Sequence, residues 1–139
     1  MHVDIGATLT IEDVAAVARR AATVAMGAEA RGAVAASRAQ VDRLIADGAA
    51  VYAITTGVGK LASVRISPQD SARLQLNIVR SHAAGVGPLL PEEIVRAMLL
   101  LRAHGLALGH SGVRPEVIDL HVACLNRGIH PVVPAQGSV

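Results

Sequence analysis

The sequence contains no phenylalanine, no tryptophan and a single tyrosine, Tyr52. Any core must therefore be filled by alanine, valine, leucine and isoleucine, which supply nearly all of the 52% hydrophobic content. Small aliphatic side chains allow helices to approach one another closely, so we expect a mainly α fold with alanine-rich helix faces. Because no other aromatic residue shares the role of core filler, Tyr52 is a candidate for a specific chemical task.

Long apolar runs and clustered charges are also missing. The most apolar stretch, residues 94–108, is interrupted by Arg96, Arg102 and His104, and it is shorter than the roughly 20 residues that a membrane-spanning helix needs. The net charge is +2, and the basic residues are scattered without aromatic residues among them. These features argue against membrane insertion and against nucleic-acid binding.

Only one cysteine, Cys124, is present, so no disulfide can form within the chain. This fits a reducing cytoplasm, with Cys124 acting as a small buried hydrophobe. The first residues lack a basic region followed by an apolar core, so nothing marks them for export. A length of 139 residues allows one hydrophobic core but not two. We therefore expect one cytoplasmic domain.

Tyr52 opens the most informative stretch, residues 52–60, where it is followed by a loop containing Gly57 and Gly59. The glycines allow the backbone to approach and close over a small substrate. A phenol, whose ordinary pKa is about 10, acts as a base near neutral pH where hydrogen bonds or positive charge stabilise the phenolate. The simpler alternative is a buried tyrosine at a strand end with a satisfied hydroxyl.

Two other common sites are excluded by residue spacing. A phosphate-binding loop ending at Gly59-Lys60 needs glycine at position 54 and serine or threonine at position 61, where the chain has Ile54 and Leu61. His104 and His110 are six residues apart, which does not place two metal ligands on one helical face. We therefore expect neither a nucleotide loop nor a metal site.

Helix signals recur along the whole chain, as capping residues, proline at first turns and glycine at ends. The fourth helix is apolar around most of its circumference, so we expect it to be buried in a bundle or at a subunit interface. After the last helix the chain becomes extended, with proline, glycine and serine typical of a turn. The predicted helices span residues 10–27, 33–47, 67–82, 91–109 and 115–128.

His82 lies at the end of the third predicted helix, within the stretch 77–87 and just before Gly85 and Gly87. Backbone crowding is low there, so its imidazole can face a cavity. The alternative is a capping or core histidine that is hydrogen-bonded to the backbone. Arg114 can bind a carboxylate, although a salt bridge to a neighbouring element is the commoner role of such a residue.

Four stretches in this order resemble the histidine ammonia-lyase branch of the aromatic amino-acid lyase and aminomutase family. The resemblance covers about positions 50–139, whereas the first 50 residues agree only in length and helical character. The matching stretches are Tyr52 with 56–59, then 77–87, 109–115 and 134–139.

The resemblance implies a helical-bundle fold like that of fumarase and aspartase, with a small irregular or extended part around the tyrosine loop and the C-terminal stretch. It further implies that residues 1–139 are the N-terminal domain of a longer ammonia-lyase polypeptide. An Ala-Ser-Gly triad just beyond Val139 would cyclise into the electrophile MIO (4-methylidene-imidazole-5-one), without a metal. The expected assembly is a homotetramer, and residues 1–139 alone are expected to be inactive.

The same resemblance assigns roles to three residues. Tyr52 matches the family's catalytic tyrosine, which removes a proton from the substrate β-carbon. Gly59 matches a position on the lid that lies against the substrate. His82, within the pair Ser81-His82, matches the residue that helps to choose the substrate side chain. An imidazole at that position resembles the histidine-specific lyases, because it can hydrogen-bond to a polar ring.

The expected activity is elimination of ammonia from L-histidine to give urocanate. A tyrosine or phenylalanine lyase or 2,3-aminomutase is the alternative within the family, because a Ser-His pair also suits a phenol and Thr55 resembles those enzymes. The remote alternative is a non-catalytic helical interaction domain that is complete at 139 residues, which leaves the Tyr52 loop and the Ser81-His82 turn without a purpose.

Overall fold

The computed structural model of the protein describes residues 1–48 and 68–137, without the side chains of residues 68, 69, 71 and 72. The described residues form five helices and four short strands, which confirms the mainly α prediction. In chain order the elements are β1 His2–Ile5, α1 Ile11–Ala18, β2 Thr23–Met26, α2 Ala28–Ala46, α3 Pro68–His82, β3 Val86–Leu89, α4 Glu92–Ala107, α5 Pro115–Arg127 and β4 Pro134–Gln136.

Strands β1 and β2 lie parallel, joined through helix α1, with His2 opposite Thr23 and Ile5 opposite Met26. The prediction of a single helix over residues 10–27 is therefore wrong in its second half. Helix α1 ends at Ala18, and Arg20 adopts a positive φ of 61°, which breaks the helical path.

Residues 23–26 then become a strand, although Val24, Ala25 and Met26 continue the apolar character of the preceding helix. Val24 is held by the side chain of Asn126, which lies 102 positions further along the chain. Oδ1 of Asn126 accepts a hydrogen bond from the Val24 N–H, and Nδ2 of Asn126 donates one to the Val24 carbonyl oxygen. Gly27, predicted to end the first helix, instead precedes α2 as its N-cap, and α2 begins five residues before the predicted start at residue 33.

Local capping chemistry sets the helix boundaries that the sequence predicts well. The Thr10 hydroxyl accepts a hydrogen bond from the Asp13 N–H at 3.1 Å, while the Asp13 carboxylate accepts one from the Thr10 N–H at 3.0 Å. These bonds from Thr10 lower the pKa of Asp13. Helix α5 begins at Pro115 and ends before Gly128, whose φ of 69° places it in the left-handed region.

The hydrophobic core joins the β1–β2 pair to α1, α2, α4 and α5. None of the described residues of α3, β3 or β4 belongs to it, so these three elements form an arm beside the core. The core residues are Val3, Ile5, Val17, Val24, Ala30, Val34, Leu100, Ala103, Leu106, Ala107, Ile118 and Leu125.

Helix α4 buries only one face within the described part of the chain. Leu100 and Ala103 are fully buried, whereas the opposite face exposes large apolar residues at helical spacing. Burial of that second face by a bundle or a subunit interface stays a prediction. The helices formed by the described residues include none that combines the length and the apolar character of a membrane crossing. The exposed residues of the second face are Ile94, Met98, Leu101 and Leu108.

Arg96 is the one charged residue among the described residues that is fully buried, with 2% exposure. Its guanidinium donates to the carbonyl oxygens of Val17 at 2.9 Å, Ala18 at 3.2 Å and Leu125 at 3.0 Å. These carbonyls lie in the last turns of α1 and α5, where the helix dipole places partial negative charge. Arg96 on α4 therefore joins the C-terminal ends of two other helices.

A second charged cluster surrounds the start of α4. Glu92 accepts a hydrogen bond from the Arg20 side chain at 2.5 Å, and His130 lies 3.8 Å away on its other side. The bond from Arg20 is the main reason why the pKa of Glu92 is lowered. Burial, followed by repulsion from Arg20, lowers the pKa of Arg96, and the Glu92 carboxylate partly offsets that repulsion.

Replacing Arg96 with methionine should lower the free energy of unfolding by about 3 kcal/mol, because buried carbonyls of α1 and α5 lose charged donors. The measurement is the midpoint of urea unfolding of the purified protein. Arg102→Met is the matched control, since Arg102 lies on the same helix but is exposed, and it should change stability by less than about 0.5 kcal/mol. Equal effects of the two substitutions would contradict the assigned role of Arg96.

Candidate functional site

Among the predicted site residues, the structure describes His82. The Tyr52 loop, including Gly59, lies outside the described residues. Its predicted roles therefore stay predictions. His82 and its surroundings are the part of the candidate site that the structure describes.

Helix α3 carries His82 in its final turn. The helix begins at Pro68, as the sequence predicts, and its last turn holds the basic residues Arg80 and His82, which the helix dipole favours there. Leu74 and Ile78 are half-buried, whereas the His82 side chain is exposed on this chain. The helix stops before Ala83, and the chain turns into β3.

The imidazole of His82 is oriented by the backbone of its own helix. Its Nδ1 lies 2.8 Å from the carbonyl oxygen of Ile78, and the Ser81 hydroxyl donates to the same oxygen at 3.0 Å. Because a carbonyl oxygen only accepts hydrogen bonds, Nδ1 must carry the proton in this arrangement. In the neutral ring, Nε2 is then an acceptor.

This geometry combines the two alternatives that the sequence left open for His82. The residue is hydrogen-bonded to the backbone through Nδ1, as a capping histidine would be. It is not a core residue, and Nε2 has no hydrogen-bond partner among residues 1–48 and 68–137. A neutral imidazole held in this way can accept a hydrogen bond from an N–H or O–H group of a small ligand.

The turn after His82 is fixed by the short antiparallel pair β3–β4. Val86 lies opposite Gln136 and Leu89 lies opposite Pro134. The Leu90 N–H extends the pairing by donating to the carbonyl of Val133 at 2.9 Å. The C-terminal stretch of the sequence, predicted only to be extended, is thereby placed beside the His82 turn.

Two glycines make this approach possible. A Cβ on Gly137, which has a φ of 87°, would overlap the carbonyl oxygen of Ala84 and lie 3.1 Å from its carbon. A Cβ on Gly85 would lie 3.0 Å from Cγ of Pro134. This contact could not be predicted from the sequence, because the glycine and proline density at 131–137 indicates a turn but does not identify its partner.

The remaining candidate residues form no second site of the predicted kinds. His104 accepts a hydrogen bond from the Gly6 N–H at 3.3 Å, and Arg114 is the exposed N-cap of α5. Cys124 is half-buried rather than fully buried, and it lines an apolar cleft of about 330 Å³ together with His121 and His130. Within the described part of the chain, no group of three metal-ligating side chains could hold an ion.

Comparison with known proteins gives consistent matches over nearly the whole chain. The family model for aromatic amino acid lyases matches residues 9–139. A histidine ammonia-lyase from Sorangium cellulosum is 54% identical over 138 residues, which is 97% of this chain and 27% of that protein. Another from Geobacillus thermodenitrificans is 50% identical over 139 residues. The chain spans about a quarter of the length of these curated relatives.

Solved structures give the same result for the fold. The tyrosine aminomutase from Streptomyces globisporus superimposes with a TM-score of 0.92 at 39% identity, over 99% of this chain and 26% of that one. The histidine ammonia-lyase from Trypanosoma cruzi superimposes with a TM-score of 0.89 at 36% identity, over 99% of this chain and 27% of that one. The folded arm that carries His82 lies within both superimposed regions.

Proposed function

The chain belongs to the aromatic amino acid lyase family, and from this premise we propose that residues 1–139 form the N-terminal part of a longer carbon–nitrogen lyase. The proposed reaction removes ammonia from L-histidine and releases urocanate. Support for this substrate comes from the histidine ammonia-lyases that are 50–54% identical to the chain.

The observation that carries the proposal is the fixed imidazole of His82. With its Nδ1–H on the carbonyl of Ile78, Nε2 offers an acceptor to the ring N–H of a histidine substrate. A phenylalanine ring has no donor for this atom, and binding it would leave Nε2 desolvated and unpaired. We therefore expect His82 to favour a substrate whose ring carries a hydrogen-bond donor.

We assign the proton transfer to Tyr52. The β-proton of an amino acid is weakly acidic, so its removal needs a base held close in a water-poor site. A phenolate meets this need where its ordinary pKa of about 10 is lowered by donors or positive charge. In this proposal Gly59 lies against the substrate, and its lack of a side chain lets the lid close.

The proposed prosthetic group is MIO, formed from an Ala-Ser-Gly triad just beyond Val139, and no metal takes part. When present, this group supplies the electrophile that makes the substrate amine a leaving group. Because the chain at Gly137 lies against Ala84, two residues after His82, a group formed shortly after Val139 would begin close to the His82 turn. His82 then binds the substrate ring while Tyr52 takes the β-proton.

The proposed assembly is a cytoplasmic homotetramer of the longer polypeptide. The exposed apolar face of α4 and the arm outside the core both support burial against further protein. Leu76 and Val79 on α3 are 49% and 67% exposed, and Val86 on β3 is 59% exposed. Such apolar surface beside the proposed site is expected where the remainder of the polypeptide or another subunit completes it.

A tyrosine 2,3-aminomutase or lyase is the second candidate. The similarity to the Streptomyces globisporus aminomutase favours it, and the O–H of a phenol can donate to Nε2 of His82 as an imidazole N–H does. A mutase would yield a β-amino acid, whereas a lyase would release ammonia, so the products distinguish the two reactions.

Replacing His82 with leucine in the complete enzyme should raise the KM for L-histidine by about 10- to 100-fold, because the substrate ring loses its acceptor. Steady-state kinetics of urocanate formation measure the effect. Arg73→Gln is the matched control, since Arg73 is exposed on the same helix and makes none of the hydrogen bonds that orient the imidazole. A His82→Leu enzyme with an unchanged KM would remove His82 from substrate binding.

Replacing Tyr52 with phenylalanine should lower kcat at least about 100-fold, because the proton acceptor is lost while the ring is kept. The melting temperature and the dissociation constant for urocanate should stay close to those of the unchanged enzyme. Turnover near the original rate in this variant would exclude Tyr52 as the base.

A further inference from the structure

We propose that Gly137 is a positioning residue for substrate binding, which acts by holding the turn at residues 83–85 and thereby fixes the imidazole of His82. This inference rests on the proposed function. It assigns a task to the glycine contact between β4 and the His82 turn.

Among the described residues, His82 has little support from outside its own helix. No described residue of helix α3 belongs to the hydrophobic core. Leu74 and Ile78 on it are only half-buried, and Leu76 and Val79 are exposed. The bonds of the His82 ring are made to its own helix and to Ser81. They orient the ring relative to α3 but do not fix α3 relative to the rest of the protein.

The turn after His82 is held by residues from outside helix α3. The Ala84 N–H donates to the His82 carbonyl at 2.9 Å, which closes the turn on itself. Gly137 then packs against the Ala84 carbonyl, and Pro134 packs against Gly85. Within the described residues, β4 is therefore the element that locks the turn.

Strand β4 is in turn connected to the core helices. It follows α5, whose Ile118 and Leu125 are fully buried, through the segment 128–133. At the far end of β3, the Leu90 N–H donates to the carbonyl of Val133 just before α4 begins. A continuous path of backbone contacts thus runs from the core helices to the residue that binds the substrate ring.

The contact at Gly137 admits no side chain for two independent reasons. Its φ of 87° lies in the left-handed region that favours glycine. The space that a Cβ would occupy is filled by the Ala84 carbonyl, which is backbone and cannot rotate away as a flexible side chain would. An alanine at 137 must therefore force the two segments apart, which shifts the turn and the end of α3 relative to β4.

The experiment compares three alanine variants of the complete enzyme. Gly137→Ala and Gly85→Ala perturb the packing between β4 and the turn at residues 83–85 from its two sides, and Gly85→Ala is the milder change because the atoms nearest its Cβ belong to the Pro134 ring. Gly109→Ala is the matched control. Gly109 also has a positive φ, of 78°, and a Cβ there would lie 2.8 Å from the backbone carbon of Ala33. The backbone it would meet therefore belongs to α2 and not to the turn that follows His82.

Gly137→Ala should raise the KM for L-histidine and the dissociation constant for urocanate about tenfold or more, since small misplacements of a binding group cost large factors. The effect on kcat should be smaller. Gly85→Ala should change the same two constants in the same direction. Gly109→Ala should lower the melting temperature and leave both constants unchanged. Kinetics, calorimetric titration with urocanate and thermal unfolding provide the three measurements.

The inference is overturned by a folded Gly137→Ala enzyme whose KM and urocanate affinity are unchanged. It is also overturned if Gly109→Ala weakens substrate binding equally, because the effect would then be general loosening. Loss of the ultraviolet absorbance of the prosthetic group with unchanged urocanate affinity would assign the contact to formation of the electrophile instead. An unmodified enzyme that acts on none of histidine, tyrosine and phenylalanine would overturn the proposed function, and this inference with it.

Discussion

The buried guanidinium of Arg96 is the interaction on which the arrangement of the core helices depends. It is placed on α4 and donates to carbonyls at the ends of α1 and α5. A buried charge without a carboxylate partner is costly, and the partial charges of two helix C-termini offset that cost. Because each acceptor lies at one fixed point of its helix, the three helices have one mutual arrangement that satisfies the guanidinium.

The arm that carries the candidate site follows a different principle. No described residue of α3, β3 or β4 belongs to the buried core cluster, and Leu74 and Ile78 of α3 are only half-buried. The position of these elements depends on backbone pairing and on the close approach of Gly137 to Ala84. The core thus supplies stability, and the contact of Gly137 with Ala84 holds the His82 turn in one position relative to the core. Apolar residues exposed on the arm suit a surface that further protein would cover.

The features that could be predicted from the sequence are those set by nearby residues. The Thr10 N-cap of α1, the Pro115 start of α5 and the Gly128 end of α5 are local signals, and the structure confirms them. Strand β2 could not be predicted from nearby residues, because it is held by β1 and by an asparagine 102 positions away from Val24. Short-range periodicity does not contain that information.

The candidate site divides in the same way. The sequence identified His82 as a candidate from its place at a helix end before two glycines. The protonated nitrogen could not be predicted, because it depends on the direction of the ring toward Ile78. The contact between Gly137 and Ala84 joins residues that are distant in the chain, so the sequence indicates only that a turn is near.

The proposed function depends on His82 selecting a histidine side chain for the elimination of ammonia. The most direct measurement is ammonia release by the complete enzyme, given L-histidine, L-tyrosine and L-phenylalanine side by side with identification of the products. We expect ammonia and urocanate from L-histidine and little ammonia from L-phenylalanine. Preferred release from L-phenylalanine, whose ring has no donor for Nε2, would contradict this role of His82.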